Sequence, residues 1–270
     1  MNDPYKFDHE AMNTVFTVRI PEADPQLARD STQAAIQLLD QIENHLSRYI
    51  EGSDVWQINH MRAGDAIFIH QLSYDCLRLA LQANEQTGGL FDCTLGRQIE
   101  HRKNETESPQ PELTGQLKIE PKRPMVHCLE AGREIDLGGI GKGFALDRMR
   151  MCLMEWGIKN GLLSAGASTH LAFGEKTWPI QLERDSSCRT IELKNQAISA
   201  SGTDVQGAHI LSPENKIFAQ PYKRVWVLDN SATAADIWST ATMLMTKEEI
   251  HALIAKGAEI LVDAPQSELH

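Results

Sequence analysis

The pattern of apolar and polar positions along the chain predicts a mixture of helices and short strands. Apolar residues recur three or four positions apart in several segments, which is the spacing of a helix with one buried face. The predicted helices span 26–49, 54–60, 71–87, 144–158, 232–245 and 247–256. Ser53 is a predicted N-cap of the second helix, and two glycines at 88–89 are expected to end the third.

The segments between these helices alternate apolar and polar residues, or are rich in β-branched and aromatic residues, as strands are. The predicted strands span 14–20, 66–70, 117–119, 125–129, 134–137, 161–164, 168–173, 178–183, 190–193, 197–201, 224–228 and 259–262. Strands 125–129 and 134–137 are expected to form a hairpin, and the close spacing from 161 to 201 predicts a mainly antiparallel sheet. We therefore predict the α+β class, with mainly antiparallel sheets packed against helices.

The length of 270 residues suits one domain over 1–270, or two sub-lobes that share a core. The hydrophobic fraction of 41% is ordinary for a globular protein and is sufficient for such a core. Residues 103–124 are polar and contain several prolines. We predict that they form a surface insertion with one strand inside it.

The most unusual stretch runs from Asp136 to Asp147 and reads DLGGIGKGFALD. Four of the six residues at 138–143 are glycines, which are unfavourable inside a helix or a strand. Between a strand and a helix, such a turn would aim free N–H groups and the positive end of the helix dipole at one place, which suits a phosphate. Lys142 adds a cation there, and Asp136 adds an oxygen ligand. The alternative is a tight turn whose glycines serve packing alone, and the stretch by itself does not separate the two.

The net charge of −11 argues against nucleic acid or an anionic membrane surface as a partner. A polyanionic ligand remains compatible with this charge if magnesium lies between it and the protein. Five cysteines without a CxxC motif indicate neither a disulfide framework nor a zinc site. No apolar run reaches membrane-spanning length, and residues 1–7 lack the features of a signal peptide. We expect a cytoplasmic protein or, alternatively, an exported or periplasmic protein whose leader was removed.

A carboxylate and a hydroxyl, Asp236 and Thr240, lie four positions apart in the predicted helix 232–245 and therefore share one face of it. Oxygen ligands of this kind suit magnesium. The same spacing is common on solvated helix faces and at caps, so alone it does not establish a metal site. His209 follows a turn and is a candidate general base, or a structural histidine bonded to backbone.

Other polar and aromatic residues have a structural explanation by default. Met12, Tyr49 and Phe91 stand beside polar turns and are expected in the core. Asp92 and Thr94 are expected to cap a turn. The common G-x-S-x-G and H-E-x-x-H hydrolase motifs are absent, and G-x-G-x-x-G does not follow a strand.

Several stretches, in the same order along residues 12–244, resemble the ApbE family, the FAD:protein FMN transferases. They are MNT at 12–14, LSRY at 46–49, SDVWQIN at 53–59, FDCTLG at 91–96, DLGGIGKG at 136–143, SASG at 199–202, HILSP at 209–213 and DIWST at 236–240. The chain departs from the family pattern at Cys93, which replaces a proline, at Gly141, which replaces an alanine, and at 166–168, where Gly-Ala-Ser replaces Gly-Gly-Asp. The resemblance implies a T-fold-related arrangement of the predicted sheets.

The resemblance also implies an activity, which is magnesium-dependent transfer of FMN from FAD to a Thr or Ser hydroxyl of an acceptor flavoprotein, with release of AMP. It implies that the Gly139 carbonyl, Asp236 and Thr240 hold Mg²⁺, and that His209 and Asp236 are catalytic, with His209 as the base for the acceptor hydroxyl. The FAD contacts that it implies are Met12, Tyr49, Leu90, Phe91, Asp92, Asp136, Lys142, Ile210 and Ser239. The alternatives are an FAD pyrophosphatase that yields FMN and AMP, and a non-catalytic FAD-binding protein.

Overall fold

The structure, a computed structural model, describes residues 3–104, 109–184, 187–202 and 222–263. Its principal sheet has seven strands, and each neighbouring pair is antiparallel. In order across the sheet they are β1 (Tyr5–Ala11), β2 (Thr14–Ile20), β6 (Gly161–Ala165), β7 (Thr169–Phe173), β10 (Ala197–Gly202), β11 (Arg224–Asp229) and β12 (Glu259–Asp263). The antiparallel sheet predicted from the sequence is therefore confirmed.

Strand β1 is the member of this sheet that the hydrophobic pattern does not predict. It lies at the sheet edge beside β2, and of its seven residues only Ala11 is buried. An edge strand with little buried surface does not need an apolar face. Its sequence, YKFDHEA, therefore lacks the hydrophobic signal of the inner strands.

Helices cover one face of the sheet and form the main core with it. Leu39, Leu77, Phe144 and Ala235, each from a different helix, are buried there together with sheet residues such as Leu171. The helices in the described residues are α1 (Pro25–Leu46), α2 (Asp54–Asn59), α3 (Gln71–Gln86), α4 (Gly96–Lys103), α5 (Gly141–Glu155), α6 (Ala232–Thr242) and α7 (Lys247–Ala255). None of the helices in the described part of the chain combines the length and the apolar character needed to cross a bilayer.

A hairpin of β8 (Trp178–Arg184) and β9 (Ser187–Leu193) covers part of the opposite face of the sheet. Its inward side chains and those of the sheet form a second, smaller apolar cluster. The buried members of that cluster are Leu162, Ala172, Trp178, Ile180, Leu182, Leu193, Ile198 and Trp226. Because successive residues of a strand point to opposite faces, the inner strands bury side chains on both sides.

A second sheet contains β3 (Ala66–Phe68), β5 (Met125–Glu130) and β4 (Gln116–Ile119), in that order. Strand β4 confirms the strand expected within residues 103–124. Helix α4 was not predicted, because its sequence, GRQIEHRK, contains one large apolar residue and buries only Gly96 and Gln98.

Residues 134–137 do not form the second strand of a hairpin with β5, so this prediction is wrong. Glu134 instead makes one isolated parallel bridge to Leu95, and the amide of Asp136 donates to the carbonyl of Cys93 at 2.8 Å. Alternate residues of the segment are buried, which imitates a strand pattern. The segment is extended because it runs beside the loop 91–96, and it leads directly into the glycine-rich turn.

Candidate active site

The glycine-rich stretch forms a turn into α5, which begins at Gly141 and not at 144 as predicted. Oδ1 of Asp136 accepts a hydrogen bond from the amide of Gly138 at 2.8 Å. The amide of Gly141 donates to the carbonyl four residues earlier at 2.7 Å, and the amide of Gly143 donates to Oδ2 of Asp236 at 3.0 Å. Because these amides already have partners in the protein, the geometry does not favour a cradle of free N–H groups.

Two of the glycines are required by the close approach of other segments. A Cβ atom at Gly143 would overlap the carbonyl oxygen of Ala232, at the start of α6. A Cβ atom at Gly139 would lie 3.0 Å from Oγ1 of Thr240 and 3.1 Å from the ring of Phe91. Packing alone therefore explains Gly143, whereas Gly139 places its backbone against a hydroxyl that is itself a candidate ligand.

The carboxylate of Asp236 is held in place from two sides. Its side chain is buried, its Oδ2 accepts from the amide of Gly143, and its Oδ1 accepts from Oγ of Ser199 at 3.0 Å. Ser199 in turn lies 3.0 Å from Oγ1 of Thr169. Hydrogen bonds to an ionised acceptor are strong, and each carboxylate oxygen retains a further lone pair. Asp236 is therefore a fixed acid that can still bind a further partner through either oxygen.

Thr240 lies one helical turn after Asp236, and its Oγ1 donates to the Asp236 carbonyl at 3.1 Å. The same oxygen lies 3.4 Å from Oγ of Ser201, and a hydroxyl oxygen has two lone pairs, so it retains capacity to accept from or coordinate a further partner. Within the described ranges, no three His, Cys, Asp or Glu side chains are grouped so as to hold a metal ion. Gly139, Asp236 and Thr240 together offer a carbonyl, one carboxylate and a hydroxyl. This sparse oxygen set fits Mg²⁺, which usually keeps several waters and takes further oxygens from phosphate.

A cleft of about 500 Å³ opens beside the glycine turn, a size usual for small-molecule sites. It brings together four of the expected FAD contacts, which are Met12, Tyr49, Asp136 and Lys142. These residues come from the β1–β2 turn, the segment after α1 and the glycine turn. Within the described residues, Lys142 makes no hydrogen bond or ion pair, so its ammonium group is available to an anionic ligand.

The β1–β2 turn at the cleft has two central residues in the left-handed region, Met12 with φ of 51° and Asn13 with φ of 56°. Such a pair matches the twist of the strands that it joins. The amide of Met12 also donates to Oε1 of Glu43 on α1 at 2.7 Å. The turn is therefore fixed against α1, and Met12 is a rigid part of the cleft wall.

Tyr49 is 59% exposed at this cleft and is flanked by cations. Nζ of Lys103 donates to its phenol oxygen at 3.1 Å, and the guanidinium of Arg48 lies 5.7 Å from its ring centroid. An exposed aromatic ring beside positive groups suits a planar, anionic ligand. The expectation that Tyr49 belongs to the core by default is therefore wrong.

Comparison with known proteins decides the family. Residues 12–262 match the model of the ApbE family. The chain belongs to the ApbE family. An FAD:protein FMN transferase of Buchnera aphidicola subsp. Schizaphis graminum is 26% identical over 89% of this chain and 79% of its own length. Another from Klebsiella pneumoniae is 22% identical over 98% of this chain and 93% of its own.

Two crystal structures from the ApbE family share this fold. The ApbE protein of Thermotoga maritima superposes with a TM-score of 0.80 at 24% identity, covering 96% of this chain and 94% of its own. The flavinyl transferase ApbE of Pseudomonas stutzeri, without ligand, gives a TM-score of 0.81 at 21% identity, covering 97% and 92%. The α+β fold expected from the ApbE resemblance is thus confirmed.

Three further FAD contacts expected for an ApbE protein lie outside the wall of the 500 Å³ cleft. Leu90 is half-buried, and Phe91 is buried with its ring close to Gly139. Oδ1 of Asp92 accepts from both the amide and the hydroxyl of Thr94, at 2.8 and 2.7 Å. Asp92 therefore forms the predicted turn cap, and Phe91 brings this loop next to Gly139, one of the candidate cation ligands.

Ser239 is fully buried on α6, and its Oγ lies 2.8 Å from Oγ of Ser201. It therefore joins α6 to β10 and does not line the cleft. His209 and Ile210 lie outside the described residues, so their expected roles remain predictions from the sequence.

Sequence reasoning did not single out Arg48. Its guanidinium contacts the carbonyl of Gly96 and the carboxylates of Glu134 and Asp136, and its side chain is only 10% exposed. These partners lie between 48 and 88 residues away along the chain. In the sequence, Arg48 stands out only as the residue before Tyr49 in the stretch LSRY at 46–49, which resembles the ApbE pattern.

Two buried cysteines of the described residues, Cys93 and Cys76, are not nucleophiles at neutral pH. Burial raises the pKa of Cys93 to about 12, and burial raises the pKa of Cys76 well above its usual value. Because a thiolate and not a thiol is the nucleophile, both sulfur atoms are inert there. Cys93 therefore has a packing role in the loop where the family pattern has a proline.

Proposed function

We propose that this protein is an FAD:protein FMN transferase, which moves FMN from FAD to a Thr or Ser hydroxyl of an acceptor flavoprotein and releases AMP. The observation that carries the proposal is the proximity of Gly139 to Thr240, one helical turn from the carboxylate of Asp236. Two relatives that align with 89% and 98% of the chain are named FAD:protein FMN transferase. The ApbE membership and this oxygen set support the same chemistry.

In the proposed reaction, the acceptor hydroxyl oxygen forms a bond to the phosphorus on the flavin side of the pyrophosphate. The bond from that phosphorus to the bridging oxygen breaks, and AMP leaves with that oxygen. Mg²⁺ bound by Gly139, Asp236 and Thr240 would supply charge neutralisation at the pyrophosphate. Lys142 would add a second positive charge, and Met12 and Tyr49 would hold the flavin nucleotide in the cleft.

The hydroxyl proton must go to a base, and we assign that role to His209. A histidine is suited to it because its ordinary pKa is close to neutrality. The test is His209→Ala, assayed with a saturating acceptor over a range of pH. Transfer of FMN at an unchanged rate would show that the assignment is wrong.

The experiment that tests the function uses the purified protein, FAD, Mg²⁺ and a flavodomain that carries an acceptor threonine. Covalent transfer makes the acceptor fluorescent on a denaturing gel and releases one AMP for each label. A matched flavodomain with Thr→Val at the acceptor position, and an incubation with EDTA, are the controls. AMP without labelled acceptor would indicate a pyrophosphatase, and bound flavin without AMP would indicate a binding protein. Either outcome contradicts the proposal.

A further inference from the structure

Arg48, just after α1, bonds two other segments beside the glycine turn. Nη1 donates to the carbonyl of Gly96 at 2.8 Å and to Oδ2 of Asp136 at 3.2 Å, and Nη2 donates to Oε2 of Glu134 at 2.8 Å. The side chains of Arg48 and Asp136 are each 10% exposed. A guanidinium presents several donors in fixed directions, which a lysine ammonium group does not. This geometry therefore depends on arginine in particular.

The space for the guanidinium is provided by a glycine. A Cβ atom at Gly96 would lie 2.8 Å from Nη1 of Arg48 and 2.8 Å from the carbonyl oxygen of Glu134. Gly96 begins α4 without a positive φ, so room and not backbone conformation requires glycine there. A side chain at position 96 would therefore collide with the guanidinium of Arg48.

Asp136 connects Arg48 to the turn. Its Oδ2 accepts from Arg48, and its Oδ1 accepts from the amide of Gly138 at 2.8 Å. The residues that follow are Gly139, beside Thr240, and Lys142, on the cleft wall. The carboxylate therefore anchors the start of the turn that carries both of these groups.

We propose that Arg48 is a positioning residue for flavin transfer, which fixes the glycine turn by holding Asp136. Arg48 also lines the cleft, but its guanidinium donors bond protein acceptors, so we assign its main effect on FAD to the turn. The consequence for FAD rests on the proposed function, whereas the effect on the turn does not. The charge matters as well, because without Arg48 the carboxylates of Glu134 and Asp136 would lose the cation that they share.

The test compares Arg48→Ala and Arg48→Lys with Arg97→Ala as a matched control. Arg97 also approaches Glu134, but at 3.9 Å, with a side chain 46% exposed and no contact with Asp136. Two quantities are measured for each protein, which are the Kd for FAD from flavin fluorescence and the exchange rate of the amides at 137–143 without ligand. We expect R48A to raise the Kd about tenfold and to speed exchange at Gly138 about tenfold. R48K should show smaller changes in both the Kd and the exchange rate. R97A should change neither quantity.

A double-mutant cycle with Asp136→Ala separates positioning from direct contact. If Arg48 acts through Asp136, R48A changes the Kd little when Asp136 is already alanine. An equal effect in both backgrounds, or unchanged amide exchange in R48A, would overturn the proposal. If R48A does not fold, the same comparisons with R48K decide. Failure of the proposed function has a different signature, since wild-type protein would then bind no FAD or transfer no FMN, while the exchange comparison stays valid.

Discussion

The backbone amide of Gly143 donates a hydrogen bond of 3.0 Å to Oδ2 of Asp236, 93 residues further along the chain. This bond joins the first turn of α5 to the middle of α6. It can form only because Gly143 has no side chain, since the backbone of α6 at Ala232 lies where a Cβ atom would be. The same contact therefore packs two helices together and orients the acid that we place on the cation.

The first prediction concerns the charge of Asp236. In Asp236→Asn the amide oxygen can still accept from Gly143, and the Ser199 hydroxyl can rotate to accept from the new NH₂ group. The fold should persist, but the negative charge on the proposed metal ligand is gone. We expect AMP release from FAD to fall about 100-fold or more, measured across a range of Mg²⁺ concentrations.

Ser199→Ala is the matched control for that change. It removes one hydrogen bond to Asp236 and should reduce stability by about 1 kcal/mol, but it leaves the carboxylate charged. Turnover should therefore fall far less than in D236N. An Asp236→Asn protein with an unchanged response to Mg²⁺ would remove Asp236 from the metal site.

The second prediction compares two glycines of the same turn. Gly143→Ala places a methyl group on the carbonyl of Ala232 and should lower the free energy of unfolding by about 3 kcal/mol. No atom lies within 4 Å of a Cβ at Gly141, and its φ is not positive, so Gly141→Ala should be neutral or stabilise by up to about 1 kcal/mol. Urea unfolding measures both. Equal stabilities for the two variants would show that the helices do not approach each other as described.

The elements that the sequence predicted are those whose burial follows one simple period. Strand β2 and helix α1 each present an apolar stripe to one core, and their predicted positions are confirmed to within three residues. Strand β1 and helix α4 were missed because an edge strand and a short polar helix bury few side chains. Segment 134–137 was misassigned because alternating burial also occurs in an extended chain that pairs with a loop.

The candidate site could be predicted where one short motif carries both the residue and its neighbour, as with Asp236 and Thr240 on one helix face. It could not be predicted where the relationship is long-range. Arg48 and Asp136 meet because α1 ends beside the turn, and no local spacing contains that information. The same holds for Ser199, which bonds Asp236 only because β10 lies under α6.

The third prediction concerns Lys142. Because this side chain lines the cleft and makes no hydrogen bond or ion pair within the described residues, its loss should cost little stability. Lys142→Met should raise the Kd for FAD about tenfold and should reduce the dependence of that Kd on salt. Lys118→Met, on an exposed strand, is the control and should change neither quantity. An unchanged Kd in K142M would mean that the anion of the ligand binds elsewhere.

A half-buried histidine provides a prediction about pH that is separate from the site. His170 lies in β7 on the face that the β8–β9 hairpin covers, and its Nδ1 is 2.9 Å from Oγ of Ser164. Burial lowers the pKa of His170 from 6.5 to about 4, although a hydrogen bond with the backbone of Ala167 opposes this, and Arg19 lowers the pKa further. The folded protein therefore keeps this ring neutral at pH values where the unfolded chain protonates it.

The fourth prediction is that His170 makes the folded protein less stable in mild acid. Its contribution to stability is fully present above pH 6.5 and is lost as the pH falls towards 4, because only the unfolded state gains the proton in that window. The loss should reach about 2 kcal/mol at pH 5, measured as the free energy of urea unfolding at pH 5 and pH 7. His170→Gln should remove most of this difference, whereas His251→Gln, at an exposed position on α7, should leave it in place. A pH difference that survives in H170Q would assign the acid sensitivity to other groups.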